Sequence, residues 1–98
     1  MLVHTVLFWL KKELTEDQIN GFTQALETMK GIQHADAVYV GTPAATEKRP
    51  VIDTSYDYCL TVVLEDVAAH DAYQIDPIHT EFLKNKDLWE QVKIYDAD

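Results

Sequence analysis

Residues 2–10, LVHTVLFWL, form a stretch that is apolar on both of its alternating faces. Successive side chains of a β-strand point to opposite sides of the sheet, so a strand with one wet face alternates apolar and polar residues. Here the even positions are Leu2, His4, Val6, Phe8 and Leu10, and the odd positions are Val3, Thr5, Leu7 and Trp9. The sequence therefore predicts a strand in a sheet that is covered on both faces.

A helix is predicted after this strand, and its start is well marked. Thr15 suits the N-cap position, and Gln18 three residues later completes a capping box. An apolar stripe at spacings of three and four then follows one helix face, formed by Ile19, Phe22, Leu26 and Met29. Gly31 marks the predicted end of the helix.

The remaining segments complete a chain of four strands with intervening helices. Strands are predicted over residues 35–42, 56–64 and 91–95, helices over 65–73 and 78–84, and a polar loop over 43–55. Pro77 opens the last helix, because proline is favoured at a first helical position. This order predicts an α+β, ferredoxin-like βαββαβ fold with a four-stranded antiparallel sheet.

The helices of such a fold cover only one face of the sheet, so the second apolar face needs another cover. The sheet of a second copy is the simplest candidate, and two-fold pairing is the commonest arrangement. A single domain of 98 residues also buries a limited share of its surface, which favours a partner subunit. We therefore predict a dimeric α/β barrel, a homodimer whose sheet-face interface contains Val3, Thr5, Leu7 and Trp9.

Composition narrows the functional classes. The formal net charge of −9 argues against nucleic acid and against anionic membrane surfaces as partners. No apolar run approaches the ~20 residues that span a bilayer, and the start of the chain does not resemble a signal peptide. We therefore expect a cytoplasmic protein. Cys59 is the only cysteine, which excludes an intrachain disulfide, and we expect it to act as a small buried hydrophobe.

Several motifs carry a resemblance to a known family. They are His4-Thr-Val-Leu-Phe8, the segment Tyr73-Gln-Ile-Asp-Pro-Ile-His79 with Phe82 after it, Trp89, and the final strand Val92-Lys-Ile-Tyr95. With these motifs the sequence resembles the stress-responsive A/B-barrel (Dabb) domain proteins as one domain over residues 1–98. The resemblance implies a ferredoxin-like fold and a dimer whose two sheets form a barrel, without implying one settled activity.

The resemblance also implies a candidate site. A plant polyketide cyclase of this family closes its substrate by aldol condensation without metal or cofactor. Its catalytic tyrosine and histidine match Tyr73 and His79, and a histidine of its pocket matches His4. Leu26 and Leu83 are positions at which this chain departs from the cyclase, so a different substrate is expected.

The chemistry of this pair suits proton transfer. Neutral imidazole takes up a proton near pH 7, so His79 is the candidate base toward a carbon next to a carbonyl group. The hydroxyl of Tyr73 is the candidate donor to the carbonyl oxygen. The predicted pocket between helices and sheet is lined by His4, Val6, Phe8, Phe22, Leu26, Leu60, Phe82 and Leu83. In a purely structural interpretation, Tyr73 packs between helix and sheet, His79 bridges the broken helix, and His4 is a satisfied core residue.

Two functional hypotheses remain open from the sequence. The first is a homodimeric module that binds a small apolar ligand or has a structural role. The second is a cofactor-free lyase or cyclase, or a monooxygenase-like enzyme, acting on a small carbonyl compound. No cofactor and no metal are expected, because no two histidines have metal-ligand spacing on one element. His34 and His70 are predicted on the surface, Asp76 as a helix cap, and Trp89 between the last helix and the sheet.

Overall fold

Four strands and three helices make up the computed structural model, which describes residues 1–98. In chain order they are β1 (Leu2–Leu10), α1 (Glu16–Thr28), β2 (Ala37–Gly41), β3 (Tyr58–Leu64), α2 (Val67–Gln74), α3 (Pro77–Phe82) and β4 (Trp89–Ala97). Two short 3-10 helices, Met29–Gly31 and Leu83–Leu88, continue α1 and α3. None of the helices has the length and hydrophobicity needed to cross a membrane.

The strands form one antiparallel sheet in the order β2-β3-β1-β4, so β1 and β3 are the central strands. The predicted α+β, ferredoxin-like fold with a four-stranded antiparallel sheet is confirmed. The register places Val6 of β1 opposite Leu60 of β3 and Ile94 of β4. It also places His4 opposite Asp96. The side chains of each such row point to the same face of the sheet.

The core lies between the helices and the even-numbered face of β1. All even positions of β1 are buried, whereas the odd positions are only partly buried. The predicted apolar stripe of α1 packs on this face, and Phe22 and Leu26 are fully buried there. The capping box at the start of α1 is present, since the Gln18 amide donates to Oγ1 of Thr15 at 3.2 Å. Local signals and the apolar pattern thus specify the same helix.

Some element boundaries differ from the predicted ones. β2 is limited to Ala37–Gly41, because it is an edge strand that pairs only with β3 over those residues. β4 extends over Trp89–Ala97, because β1 supplies it with partners as far as Val3. The α-helical part of α3 ends at Phe82, and the chain then tightens into a 3-10 helix.

The opposite face of the sheet carries no helix. It contains the odd positions of β1 together with Cys59 and Tyr39, and the register adds Tyr95 from β4. Tyr39 and Tyr95 are 64% and 58% exposed. Cys59 is only half-buried here, so its expected burial is not reached within one chain. We call this surface the outer face.

Candidate functional site

A cavity of about 200 Å³ lies between the sheet and the helices α2 and α3. Strand side chains form its floor, and they are His4, Val6, Phe8, Leu60, Trp89, Val92 and Ile94. Helical segments supply its walls, namely Met29, Tyr73, Gln74, His79, Phe82 and Leu83. The lining is mostly apolar, and in such pockets the few polar groups fix the orientation of a bound molecule.

Six of the eight residues predicted to line a pocket are in this lining, and Phe22 and Leu26 are not. Phe22 and Leu26 do not line the cavity, because both have no exposed surface and pack within the core. Their positions on α1 place them beside the cavity wall, behind residues of the other helices. The lining residues that sequence reasoning missed come mainly from β4, where Val92 and Ile94 lie opposite Phe8 and Val6.

Tyr73 and His79, the predicted candidate pair, lie together in the cavity wall. Their ring centroids are 4.9 Å apart in an edge-on arrangement. Burial raises the pKa of the Tyr73 hydroxyl, and the negative charge of Asp96 acts in the same direction. Tyr73 therefore keeps its proton at all physiological pH values and can act as a hydrogen-bond donor.

His79 is the more unusual member of the pair. It is only 8% exposed, and its Nδ1 atom is buried without any hydrogen-bond partner. Burial lowers the pKa of the His79 imidazole, and a nearby His4 lowers it further, while Asp76 acts in the opposite direction. The neutral form of the His79 imidazole is therefore favoured, and its ring lies against that of Tyr73.

The break between α2 and α3 sets the position of His79. Asp76 is the N-cap of α3, and its Oδ1 accepts from the Ile78 amide at 2.8 Å, which confirms the predicted cap. Pro77 occupies the first helical position, where no hydrogen-bond donor is lost. His79 follows within the first turn, and so it is held close to Tyr73 of the preceding helix.

Trp89 closes one end of the cavity. A register shift in the pairing of β1 with β4 brings Trp89 opposite Leu10. The indole then stacks on Phe82 with ring centroids 5.9 Å apart and packs against Phe8. This arrangement matches the predicted contact of Trp89 between the last helix and the sheet.

A second polar cluster lies at the opposite end of the cavity, around His4. His4 is 2% exposed, and its Nδ1 lies 2.5 Å from Oδ1 of Asp96 across the β1–β4 pair. The ring of His70 packs against it with centroids 5.2 Å apart. His4 thus has the partner that a buried polar residue requires.

The placement of His70 corrects the sequence prediction. His34 is exposed as predicted, but the side chain of His70 is only 20% exposed. The burial of His70 depends on the packing of α2 against β1, which no pattern within α2 indicates. The fold brings α2 over the end of β1, which places His70 against His4. The contact of Asp96 with His4 requires β4 to pair with β1.

Comparison with known proteins identifies the family. The model of the stress responsive A/B barrel domain, Dabb, matches residues 2–98. The chain belongs to the Dabb family. No curated protein matches this Dabb chain.

Solved structures share the fold of this Dabb chain. A Dabb family protein with a ferredoxin-like fold from Mesorhizobium loti has a TM-score of 0.76 and 22% identity, covering 99% of this chain and 94% of that chain. A dimeric ferredoxin-like protein of unknown function from Thermobifida fusca has a TM-score of 0.78 and 19% identity, covering 98% of this chain and 88% of that chain. The hydroxynitrile lyase from Passiflora edulis has a TM-score of 0.79 and 17% identity, covering 98% and 90%. At these identities the likeness shows the fold alone.

The lowered pKa of His79 predicts a specific pH dependence of stability. Unfolded His79 has its ordinary pKa of 6.5, so below that pH the unfolded chain binds a proton that the folded chain does not yet accept. The free energy of unfolding is therefore unaffected by His79 above pH 6.5. It falls as the pH decreases from 6.5 toward the lower pKa of the folded state. We expect urea denaturation to show that the free energy of unfolding decreases less between about pH 7.5 and 5.5 for His79→Asn than for the unsubstituted chain.

Other titratable groups face His79 and are common to both chains, namely His4, His70, Tyr73 and Asp76. The contributions of these four groups to the pH dependence of the free energy of unfolding largely cancel when the profile of His79→Asn is subtracted from that of the unsubstituted chain. Ile75→Asn is the control, because Ile75 is 80% exposed and carries no titratable group, so its pH profile should match that of the unsubstituted chain. Identical profiles for His79→Asn and the unsubstituted chain would show that His79 titrates as it does in water.

Proposed function

We propose that this Dabb domain is a homodimer that binds a small, largely apolar molecule in the cavity between its helices and sheet. The observation that carries the proposal is the lining itself, which is apolar except for a few polar groups that include Tyr73 and His79. The ring of His79 lies against that of Tyr73, and the hydroxyl of Tyr73 remains protonated. A ligand that carries one oxygen atom would give these groups the hydrogen bonds that buried polar atoms normally have.

The volume of the cavity limits the ligand. Pockets for drug-sized molecules have volumes of roughly 300–1,000 Å³, whereas an apolar cavity of about 150 Å³ binds benzene. The cavity of about 200 Å³ therefore suits a molecule of one ring, or of comparable aliphatic size, with a small polar substituent. A long linear polyketide does not fit this volume, and Leu83 is one of the side chains that restrict it.

A second candidate function is a cofactor-free lyase that uses the same pair of residues. Neutral His79 would remove a proton from a hydroxyl group, or from a carbon next to a carbonyl, while Tyr73 would donate a hydrogen bond to the substrate oxygen. Solved structures with this fold include both a hydroxynitrile lyase and a monooxygenase-like protein, so the lyase candidate rests on the pairing of Tyr73 with His79. For a hydroxynitrile, loss of the hydroxyl proton forms the carbonyl as the carbon–cyanide bond breaks, and cyanide leaves to take up a proton.

The dimer rests on the outer face of the sheet. Its central strands present apolar side chains with no helix over them, and Leu7 and Trp9 are only partly buried in one chain. Large apolar patches of this kind mark protein interfaces. The structural neighbour from Thermobifida fusca is described as dimeric. We therefore assign the outer face, with Val3, Thr5, Leu7 and Trp9, to contact with a second copy.

Ligand binding is tested with benzaldehyde and toluene, which have similar size but differ in their oxygen atom. Calorimetry or ligand-detected NMR should show that both bind the unsubstituted chain. Tyr73→Phe should lower the affinity for benzaldehyde by roughly 2- to 15-fold, which corresponds to the net free energy of one hydrogen bond, and leave the affinity for toluene unchanged. Leu83→Trp should weaken both by filling the cavity. Ile75→Trp is the matched control, because Ile75 is 80% exposed and lies outside the cavity lining. Failure of both compounds to bind would contradict the proposed cavity function.

The lyase candidate has a separate readout. Cleavage of mandelonitrile to benzaldehyde and cyanide is followed by the absorbance of the aldehyde. We expect His79→Asn to abolish enzymatic cleavage and Ile75→Asn to leave it unchanged, since Ile75 is 80% exposed and lies outside the cavity lining. If the chain binds benzaldehyde but does not accelerate cleavage, the domain is a binding module and the lyase candidate fails.

The dimer is tested by placing a charge on the outer face. Leu7→Glu should convert the dimer to monomers or unfold it, because removing the carboxylate from water between two sheets costs more than its attraction to Lys93, the residue opposite Leu7, returns. Ile75→Glu is the matched control, since the same change at an 80% exposed position should leave the dimer intact. Sedimentation velocity distinguishes the species. An intact Leu7→Glu dimer would place the interface elsewhere.

A further inference from the structure

We propose that His4, His70 and Asp96 form a binding site for a divalent transition-metal ion, with Zn²⁺ as the reference ion, at one end of the cavity. Each of the three residues offers one ligand atom, and these atoms all lie within 4.8 Å of one another. The residues come from three different elements, β1, α2 and β4. No one of these elements carries a metal-binding spacing by itself, so the site exists only in the folded chain.

The donor set suits this class of ion. Two imidazoles and one carboxylate are ligands for Zn²⁺ and for similar divalent ions, with metal–ligand distances of about 2.0–2.2 Å. Ligand atoms around such an ion therefore lie roughly 3–3.5 Å apart. The His4 Nδ1 to Asp96 Oδ1 distance of 2.5 Å is shorter than that, so an ion would separate this pair slightly. The carboxylate of Asp96 is free to make this adjustment, because its side chain is 43% exposed.

The surroundings of the cluster favour a rigid site that is still accessible. His4 is 2% exposed and fixed by the packing of the central strand. Nδ1 of His70 lies 3.3 Å from Oδ1 of Asp71, and Nε2 of His70 lies 3.3 Å from Nε2 of Gln74. Because these contacts are long, the imidazole ring of His70 is able to turn toward an ion. Asp71 beside one ring nitrogen is also the kind of outer carboxylate that orients metal-bound histidines.

Three protein ligands leave at least one coordination position open. His4 is itself part of the cavity lining, so the open position would lie at the cavity end and accept water or a ligand oxygen. This inference goes beyond the proposed binding function and rests on a different group of residues from Tyr73 and His79.

The experiment is a Zn²⁺ titration of chelator-stripped, untagged protein by calorimetry, repeated with Co²⁺ to record its visible ligand-field absorption. We expect one ion per chain. His70→Gln and Asp96→Asn should each weaken binding by at least roughly tenfold and change the Co²⁺ spectrum. Neither variant alters the fully buried core, so folding should be preserved, and circular dichroism checks this. His34→Gln is the matched control, because it removes an exposed histidine that lies outside the cluster.

Two results would overturn the metal site. One is the absence of Zn²⁺ binding by the unsubstituted chain, which would leave His4 and Asp96 as a structural hydrogen-bonded pair. The other is equal Zn²⁺ affinity in His70→Gln and the unsubstituted chain, which would place the ion elsewhere. Benzaldehyde binding measured in the presence of EDTA reports on the proposed function separately. Either proposal can therefore fail while the other stands.

Discussion

The two-sided apolar character of β1 is the constraint on which the rest of the structure depends. β1 pairs with β3 on one side and β4 on the other along most of its length, so its backbone groups are satisfied within the sheet. Its side chains then need cover above and below. On one face the helices supply it, with Phe22 and Leu26 fully buried over the strand. On the other face Leu7 and Trp9 remain partly open, and this is the surface that the proposed dimer would cover.

The cavity follows from how little of the sheet the short helices can cover. Val92 and Ile94 of β4 point to the helical side of the sheet, yet they are 39% and 53% exposed. The chain breaks its second helical segment at Asp76 and Pro77 instead of continuing one long helix across β4. The break leaves space above the strands and brings His79 back toward Tyr73. The same local signal that ends a helix therefore also shapes the site.

The sequence was sufficient for features that depend on one segment at a time. The strand β1, the capping box at Thr15, the cap at Asp76 and the pairing of Tyr73 with His79 all follow from local pattern or from the family motif. Features that depend on which strands become neighbours were less accessible. The contact of His4 with Asp96 joins residues that are far apart in the chain, and it requires β4 to lie beside β1. The depth of Phe22 and Leu26 behind the cavity wall likewise depends on how three helices share one face.

The energetics of the cavity favour a role in ligand binding over a purely structural one. A buried polar atom without a partner costs about 1–3 kcal/mol, and the Nδ1 of His79 is such an atom. Space inside a domain also forfeits packing energy, while the total stability of a domain is only about 5–15 kcal/mol. An apolar side chain in place of His79 would remove the penalty of the unpaired nitrogen. Departures of this kind from the most stable packing are concentrated at functional sites, where a bound molecule supplies the missing contacts.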